Sequence, residues 1–246
     1  MTGNRKKGGL YGFFQIVFVS ECREYSSYVQ HVKAPVFRKS FVLKEGSQSG
    51  EILICGLGFY DLFINGEKIT KGYLAPYISN TDHIVYYDHY DLTPWLKAGE
   101  NVIGVMLGDG FQNSKTRVWD FMDNVFNSAP KLALSMKVES DGEKQEFDAM
   151  DFSCKKGPIF FNDLRSGVFF DKREEEKGWD QPGFQEDENW HKPILADRPR
   201  GKAKLCEAEP IAVVEERKPV KIWKGALADY TPRGDVPEGL CGQTTP

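Results

Sequence analysis

Apolar and polar residues alternate along most of the chain from Pro35 onward, and this alternation predicts β-strands. The clearest case is residues 131–139, where every second position is large and apolar: Leu132, Leu134, Met136 and Val138. Asp141-Gly142 follows as a two-residue turn, and residues 145–149 are predicted to be the return strand. The pattern therefore predicts a hairpin with one buried face.

A second turn signal, Asn65-Gly66, follows the alternating segment 60–64. Both central residues of a type I′ turn need positive φ, which Asn and Gly adopt more readily than other residues. Further strands are predicted over residues 36–43, 51–55, 84–90 and 101–107. A single helical turn is predicted from Thr93, as its N-cap, to Lys97, because Pro94 takes the first position and Gly99 follows the end.

No segment keeps an apolar stripe with a 3.6-residue period over three turns. Many short strands separated by Gly, Asn and Asp instead predict an all-β fold, a β-sandwich of the jelly-roll or galactose-binding-like type.

Changes in composition predict four regions. Residues 1–33 form an irregular leader, 34–190 the β-sandwich, 191–209 a linker rich in proline and charge, and 210–246 the start of a second β domain. The last region is too short to close a second sandwich. We therefore expect this chain to stop within its next domain.

The charge balance narrows the possible partners. With 32 Lys+Arg and 36 Asp+Glu among 246 residues, the net charge is −4, and there is no polybasic run. Nucleic acid and anionic membranes are therefore not expected partners. Five scattered cysteines without a C-x-x-C pair also argue against a disulfide scaffold or a zinc site.

The N-terminus combines basic residues 5–7 with an apolar stretch over 10–19, which is the layout of a secretory signal. The stretch is too short to span a bilayer, and Gln15 interrupts it. Ser20-Glu21-Cys22 does not match a cleavage site. A signal peptide stays an alternative, while the unpaired cysteines favour a cytoplasmic location.

Motifs for nucleophilic or phosphate chemistry, such as G-x-S-x-G and the P-loop, do not occur. The run Glu174–Glu176 lies among lysines, which predicts a solvated surface. His83 and His89 have no third ligand at metal spacing, so structural roles are predicted for both. Core or sheet-edge positions are predicted for three aromatic residues: Trp179, Phe184 and Trp190.

Several blocks of sequence, in a fixed order, carry a resemblance to a known family. They are CGLGFYDLFING at 55–66, YDLT at 90–93 with GENVIGVMLG at 99–108, GPIFFND at 157–163, GWDQPGF at 178–184 and PIAVVEE at 210–216. Together they resemble the N-terminal β-sandwich region of bacterial α-L-rhamnosidases, over residues 35–223. One departure follows Asn162-Asp163, where the family's acidic residues are replaced by Ser166 and Val168. No role is carried onto those two positions.

The resemblance implies that the catalytic acids lie on a helical barrel outside this chain. Hydrolysis of a glycoside needs two carboxylates that flank the scissile bond. We therefore expect the chain to be inactive alone and to support hydrolysis of terminal α-L-rhamnosides. It would do so by binding rhamnose-containing glycans or glycosides, by docking on the missing catalytic barrel of the same polypeptide, or by both.

A sugar site needs an aromatic face and amide or carboxylate groups, and calcium can bridge sugar hydroxyls. The resemblance implies that some rhamnosidase sandwiches bind L-rhamnose through calcium. Two loops carry suitable side chains, and the candidate carbohydrate ligands are Asn80, Asp82, Asp109, Asn113 and Trp119. The candidate calcium ligands are Asn80, Asp82 and Asn113.

Each candidate has a structural alternative. Asn80 and Asp82 are residue types that initiate turns, and Asp109 can simply shape a loop. Trp119 can pack against the absent barrel. The whole chain can also be a purely structural sandwich, or the galactose-binding-like domain of another glycosidase such as a β-galactosidase. Segments 161–163 and 179–184 favour the rhamnosidase.

Overall fold

The computed structural model describes residues 17–27, 30–113, 128–164 and 167–221, without the side chains of 112 and 113. Within these ranges there are strands and short 3₁₀ turns but no α-helix. Two β-sheets face each other across an apolar core, and a separate hairpin lies beside them. The predicted all-β sandwich is therefore confirmed.

The described residues form fourteen strands. They are β1 (Val19–Ser20), β2 (Pro35–Leu43), β3 (Gln48–Leu57), β4 (Phe59–Ile64), β5 (Glu67–Lys68), β6 (Ile84–Asp91), β7 (Gly99–Gly108), β8 (Lys131–Ser140), β9 (Glu143–Asp148), β10 (Ser153–Lys156), β11 (Ile159–Asp163), β12 (Gly167–Phe170), β13 (Ile194–Leu195) and β14 (Lys202–Leu205).

The first sheet has seven strands in the order β13-β1-β8-β3-β6-β14, with β9 also paired to β8. The second has five strands in the order β10-β2-β7-β4-β5, and β11 pairs with β12 alone. Pairing is antiparallel except between β14 and β6, which run parallel. The sequence therefore predicts the long central strands correctly, whereas the short outer strands complete both sheets.

Local turn chemistry accounts for two hairpins. Asn65 and Gly66 have φ of 51° and 87°, and Asp141 and Gly142 have φ of 49° and 76°, as these turns require. The predicted single turn is a 3₁₀ turn over Thr93–Trp95, but its N-cap is Leu92, so the prediction of a Thr93 N-cap is wrong. The Thr93 hydroxyl instead accepts a hydrogen bond from the Gly50 N–H at 3.2 Å.

The main core lies between the two sheets. The four alternating apolar residues of β8 are buried there, facing residues such as Phe37 and Val105 of the second sheet. A second cluster, which includes Phe18, Leu53 and Tyr87, covers the opposite face of the first sheet. Burying each such side chain contributes about 2 kcal/mol.

Parts of the predicted leader and of the predicted linker belong to the first sheet. Val19–Ser20, within the predicted leader, pairs with β8 and β13. Within the predicted linker, β13 and β14 join the first sheet, and Ala203 and Leu205 pack on the second cluster. The sandwich thus extends to both sides of residues 34–190.

Beyond β14 the chain contacts the segment that follows β5. Ile211 forms an isolated antiparallel bridge with Tyr73, and residues 212–221 are exposed without regular structure. Of the predicted second β domain, residues 222–246 lie outside the described residues.

Candidate functional site

The two loops predicted to carry the sugar site lie together at one end of the sandwich. Tyr77, Ile78 and Thr81 of the first loop line a small crevice of about 30 Å³, together with Phe111 of the second. The Phe111 ring lies edge-on to Phe59, with 5.8 Å between ring centroids. The loops therefore meet, but largely through aromatic and apolar residues.

Asn80 and Asp82 build a local turn. The Asp82 N–H donates to Asn80 Oδ1 at 3.0 Å, and the Asn80 carbonyl accepts hydrogen bonds from the N–H groups of His83 and Ile84. This is the arrangement in which an Asx side chain mimics a backbone turn. Asn80 is exposed and Asp82 half-buried, and neither lines the crevice.

The other candidates are distributed differently. Asp109 is 3 % exposed, and its N–H donates to Asn162 Oδ1 at 2.7 Å, which ties the end of β7 to β11. Asn113 ends the 3₁₀ turn Gly110–Asn113 through its backbone, while its side chain and all of Trp119 lie outside the described residues.

The calcium site at Asn80, Asp82 and Asn113 stays a prediction. The described residues include no group of three or more His, Cys, Asp and Glu side chains placed to hold a metal ion. Asn80 already uses its side-chain oxygen to accept from Asp82.

A larger recess, which we name the Asp88 cleft, lies next to the crevice and has a volume of about 220 Å³. Residues 71–77 form one wall and residues 206–211 the other, and Tyr77 borders both recesses. Six of the lining side chains carry its chemistry: Lys71, Tyr73, Tyr77, Asp88, Glu207 and Glu209. The cleft thus combines aromatic rings with carboxylates.

Backbone contacts hold the two walls together. Gly72 has a φ of 66°, and a Cβ at this position would lie 2.4 Å from the carbonyl oxygen of Ile211. The Tyr73 N–H donates to that same oxygen at 3.1 Å. Leu74 adopts a φ of 57°, which is uncommon for a residue with a side chain, and is half exposed.

A chain of hydrogen bonds forms the floor of the cleft. The Lys71 N–H donates to the Tyr90 hydroxyl at 3.1 Å, and the Tyr90 and Tyr60 hydroxyls are 2.9 Å apart. The Tyr60 hydroxyl donates to Asp88 Oδ2 at 2.5 Å. Because Tyr60 gives its proton to Asp88, Tyr90 donates to Tyr60, and the chain ends at the carboxylate.

Burial sets the electrostatics of this floor. Desolvation raises the pKa of Asp88 above its ordinary value, although hydrogen bonds from Tyr60 and Cys206 and the charge of Lys71 favour the ionised form. Burial also raises the pKa of Tyr90 to about 12. Tyr90 is therefore neutral near pH 7, and so is Tyr60, whose pKa is raised in the same way.

Several carboxylates elsewhere on the sandwich have ionic or hydrogen-bonding partners. Glu186 pairs with Arg38 at 2.8 Å, and Glu51 lies 3.1 Å from His89, which gives this histidine the structural contact predicted for it. Glu176 pairs with Lys155 and accepts from the Trp190 Nε1–H at 3.2 Å. Of the acidic run, Glu174 is exposed as predicted, whereas Glu176 is half-buried by this packing.

The predicted core aromatic residues lie close to Glu176. Trp179 and Trp190 are each 8 % exposed, and Phe184 packs against them. The prediction that these three residues occupy core or sheet-edge positions is therefore confirmed.

The hairpin β11–β12 exposes a set of apolar side chains that we name the hairpin patch: Leu164, Val168, Phe169 and Phe170. Its other face is anchored by Phe161, which is 1 % exposed and packs against Phe169. Val168 is one of the two positions where the sequence departs from the rhamnosidase pattern; Ser166 lies outside the described residues.

Comparison with known proteins gives a consistent result. The family model "Alpha-L-rhamnosidase N-terminal domain" matches residues 47–215. An α-L-rhamnosidase of Formosa agariphila is 30 % identical over 205 residues, which is 80 % of this chain and 21 % of the relative. One of Streptomyces avermitilis is 30 % identical over 136 residues, 54 % of this chain and 13 % of the relative.

Solved structures agree. The α-L-rhamnosidase from Dictyoglumus thermophilum superposes with a TM-score of 0.72 at 30 % identity, covering 86 % of this chain and 24 % of that one. The enzyme from Aspergillus terreus gives a TM-score of 0.66 at 27 % identity, covering 78 % and 22 %. The fold is thus the β-sandwich that these two α-L-rhamnosidase structures contain. The chain belongs to the α-L-rhamnosidase N-terminal domain family, and it spans about a fifth of the length of the Formosa relative.

Sequence reasoning missed the floor of the Asp88 cleft. Tyr86, Asp88 and Tyr90 alternate along β6 and look like polar positions of an ordinary strand. A polar residue between two tyrosines on one strand face was the available signal.

No helix in the described part of the chain has the length and apolar character needed to cross a membrane.

Proposed function

We propose that this chain is a non-catalytic accessory domain of an α-L-rhamnosidase. In this proposal it supports hydrolysis of terminal α-L-rhamnosides by binding the sugar and by docking on the catalytic barrel of the same enzyme. The names of its relatives and the fraction of their length that it spans support this role.

The main support for the proposal comes from the contacts that the carboxylates of the sandwich make. Glycoside hydrolysis needs an acid and a second carboxylate on opposite sides of one bond, roughly 5–9.5 Å apart. In the described sandwich Glu176 and Glu186 hold buried or half-buried partners, and Asp88 accepts from Tyr60. Each of these acids is held by a contact within the sandwich, which fits a domain whose chemistry is performed elsewhere.

The first test is hydrolysis of 4-nitrophenyl α-L-rhamnoside by the purified chain. We expect no release of nitrophenol above the uncatalysed rate. Turnover that disappears in the Asp88→Asn variant would overturn the non-catalytic role, because it would assign the chemistry to the cleft itself.

The hairpin patch favours docking on the barrel as the second part of the role. Four large apolar side chains lie together on one exposed hairpin, although a monomeric domain usually buries such a set. Phe161 anchors the hairpin from beneath, so the exposed side is presented on a fixed support.

Docking can be measured as binding of this chain to a rhamnosidase barrel produced without its own N-terminal domain. Val168→Ser combined with Phe170→Ser should weaken binding roughly tenfold or more. Val42→Ser is the matched control, because Val42 is 64 % exposed and Val168 61 %, and it should bind like the unchanged chain. Equal binding by all three proteins would exclude the hairpin patch as the docking surface.

A further inference from the structure

We propose that the Asp88 cleft is a metal-independent subsite for one 6-deoxyhexose ring. The proposal deepens the accessory role proposed above and rests on it. It places sugar recognition on residues different from the loop side chains that the sequence predicts.

The size of the cleft limits its ligand. Pockets for drug-sized molecules have volumes of about 300–1,000 Å³. The Asp88 cleft, at about 220 Å³, is smaller than these and suits a single sugar ring rather than an oligosaccharide chain.

The two sides of the cleft differ in polarity, as the two sides of a deoxy sugar do. Tyr73 and Tyr77 are 52 % and 53 % exposed, and each offers an apolar ring with a polar tip. Leu74 extends this wall and is also half exposed. A 6-deoxyhexose presents a methyl group and ring C–H groups that match such a wall, while its hydroxyls need polar partners.

The Asp88 carboxylate can accept hydrogen bonds from sugar hydroxyl groups. A carboxylate accepts about four hydrogen bonds, and the described contacts from Tyr60 and Cys206 leave acceptor positions open toward the cleft. Hydrogen bonds to an ionised acceptor are about twice as strong as neutral ones, and partial burial strengthens them further. The hydroxyl chain through Tyr60 and Tyr90 fixes the carboxylate in place.

The charge of the cleft selects against anions. Asp88, Glu207 and Glu209 line it together with a single lysine. Lys71 Nζ donates to the His89 carbonyl at 2.5 Å and lies 4.9 Å from the centre of the Tyr90 ring, so this cation is engaged at the rim. Three carboxylates against one lysine leave the lining net negative, which disfavours a phosphate or carboxylate ligand, whereas a neutral polyol finds acceptors.

The experiment is calorimetric titration of the full chain with L-rhamnose and with L-mannose, which differs only in carrying a hydroxyl on C6. We expect L-rhamnose to bind with a millimolar dissociation constant and L-mannose roughly fivefold or more weakly, because the tyrosine wall faces the methyl group. Addition of EDTA should leave the affinity unchanged. Equal affinity for the two sugars, or loss of binding in EDTA, would overturn the proposal.

Two variants locate the site, and two matched variants control for it. Asp88→Asn and Tyr77→Ala should each weaken L-rhamnose binding roughly tenfold, whereas Asp82→Asn and Tyr25→Ala should leave it unchanged. Tyr77 is exposed, so its variant tests the site even if the Asp88 variant folds poorly. Loss of binding in the Asp82 variant alone would place the sugar on the predicted loop and refute the cleft.

Cys206 provides an independent readout, because it lines the same cleft as Asp88. L-rhamnose should slow its alkylation by iodoacetamide, followed by peptide mass spectrometry. Unchanged alkylation together with no heat up to about 50 mM sugar would overturn the subsite. Intact docking on the barrel in that case would leave the accessory role standing, whereas failure of both would overturn the two proposals together.

Discussion

Arg38 and Asp88 both place a charged group beneath the surface of the sandwich, but their surroundings differ. Arg38 is 3 % exposed, donates to Glu186 and to the Trp179 carbonyl at 2.8 Å each, and lies over the Phe184 ring. Asp88 accepts from neutral hydroxyl and thiol groups and borders an open cleft. The charge of Arg38 is paired within the chain and stabilises the fold. The Asp88 carboxylate is held by neutral donors, so it can still accept hydrogen bonds from a ligand.

Of the two charged groups, Arg38 is expected to give the larger effect. Arg38→Ala should lower the free energy of unfolding by about 3 kcal/mol, because it removes a buried cation and leaves Glu186 and the Trp179 carbonyl without their partner. Urea unfolding at pH 7 measures this change. Arg217→Ala removes an exposed arginine that pairs only locally with Glu215, and its midpoint should not move. Equal midpoints for the two variants would contradict a structural role for Arg38.

An intermediate effect is expected at the wall of the cleft. Gly72→Ala should lower the free energy of unfolding by about 2 kcal/mol, because it combines a left-handed φ with a Cβ placed 2.4 Å from the Ile211 oxygen. Alkylation of Cys206 should also become faster as residues 206–211 move away. Gly142→Ala is the matched control, with a φ of 76° but no atom within 4 Å of its Cβ. Gly142→Ala should lower the free energy of unfolding by about 1 kcal/mol and leave the rate of Cys206 alkylation unchanged.

A smaller effect concerns the pH dependence of stability. Because the pKa of Asp88 is raised in the folded state, the native protein holds its proton more tightly than the unfolded chain does. The stability of the parent chain relative to Asp88→Asn should therefore be greatest at pH values below the ordinary pKa of about 4. It should fall as the pH rises through the raised value.

Asp91, three residues further along the same strand, provides a control of opposite sign. Hydrogen bonds from Thr93 lower the pKa of Asp91, so stability relative to Asp91→Asn should rise with pH up to about 4 and then level off. Urea unfolding from pH 3 to 7 gives both curves. Slopes of the same sign would show that the environment of Asp88 is misassigned.

The smallest expected effect is on the hairpin patch. Val168→Ser should change the free energy of unfolding by less than about 0.5 kcal/mol, because the side chain is 61 % exposed. Phe161→Ser in the partner strand removes a buried ring and should cost about 3 kcal/mol or more. Thermal melts separate the two. A large loss at Val168 would show that this residue serves the fold rather than docking.

Local patterns account for the parts of the fold that the sequence predicts. The alternation in β8 and the Asn65-Gly66 turn depend on neighbouring residues alone, and both occur as expected. Residues 202–205 become a strand only because they pair with β6, which lies more than 100 residues earlier. Their polar–apolar alternation is only four residues long, and it does not indicate which strand they pair with.

The cleft was hidden from the sequence for a similar reason. Tyr60 and Asp88 are 28 positions apart and lie on different sheets, so only the stacking of the sheets brings them together. The preference of functional residues for loops drew the prediction to residues 77–82, which border the same end of the sandwich. A carboxylate in mid-strand carries no such signal.

The bridge at Ile211 makes the departing polypeptide a wall of the cleft. Residues 212–221 leave the sandwich directly from this point. A force along them would act on the Ile211 carbonyl, which accepts from the Tyr73 N–H, and on the parallel pairing between β14 and β6. The direction in which the chain departs and the width of the opening beside Asp88 are thereby linked. A shift of residues 212–221 relative to the sandwich would therefore change the width of the recess.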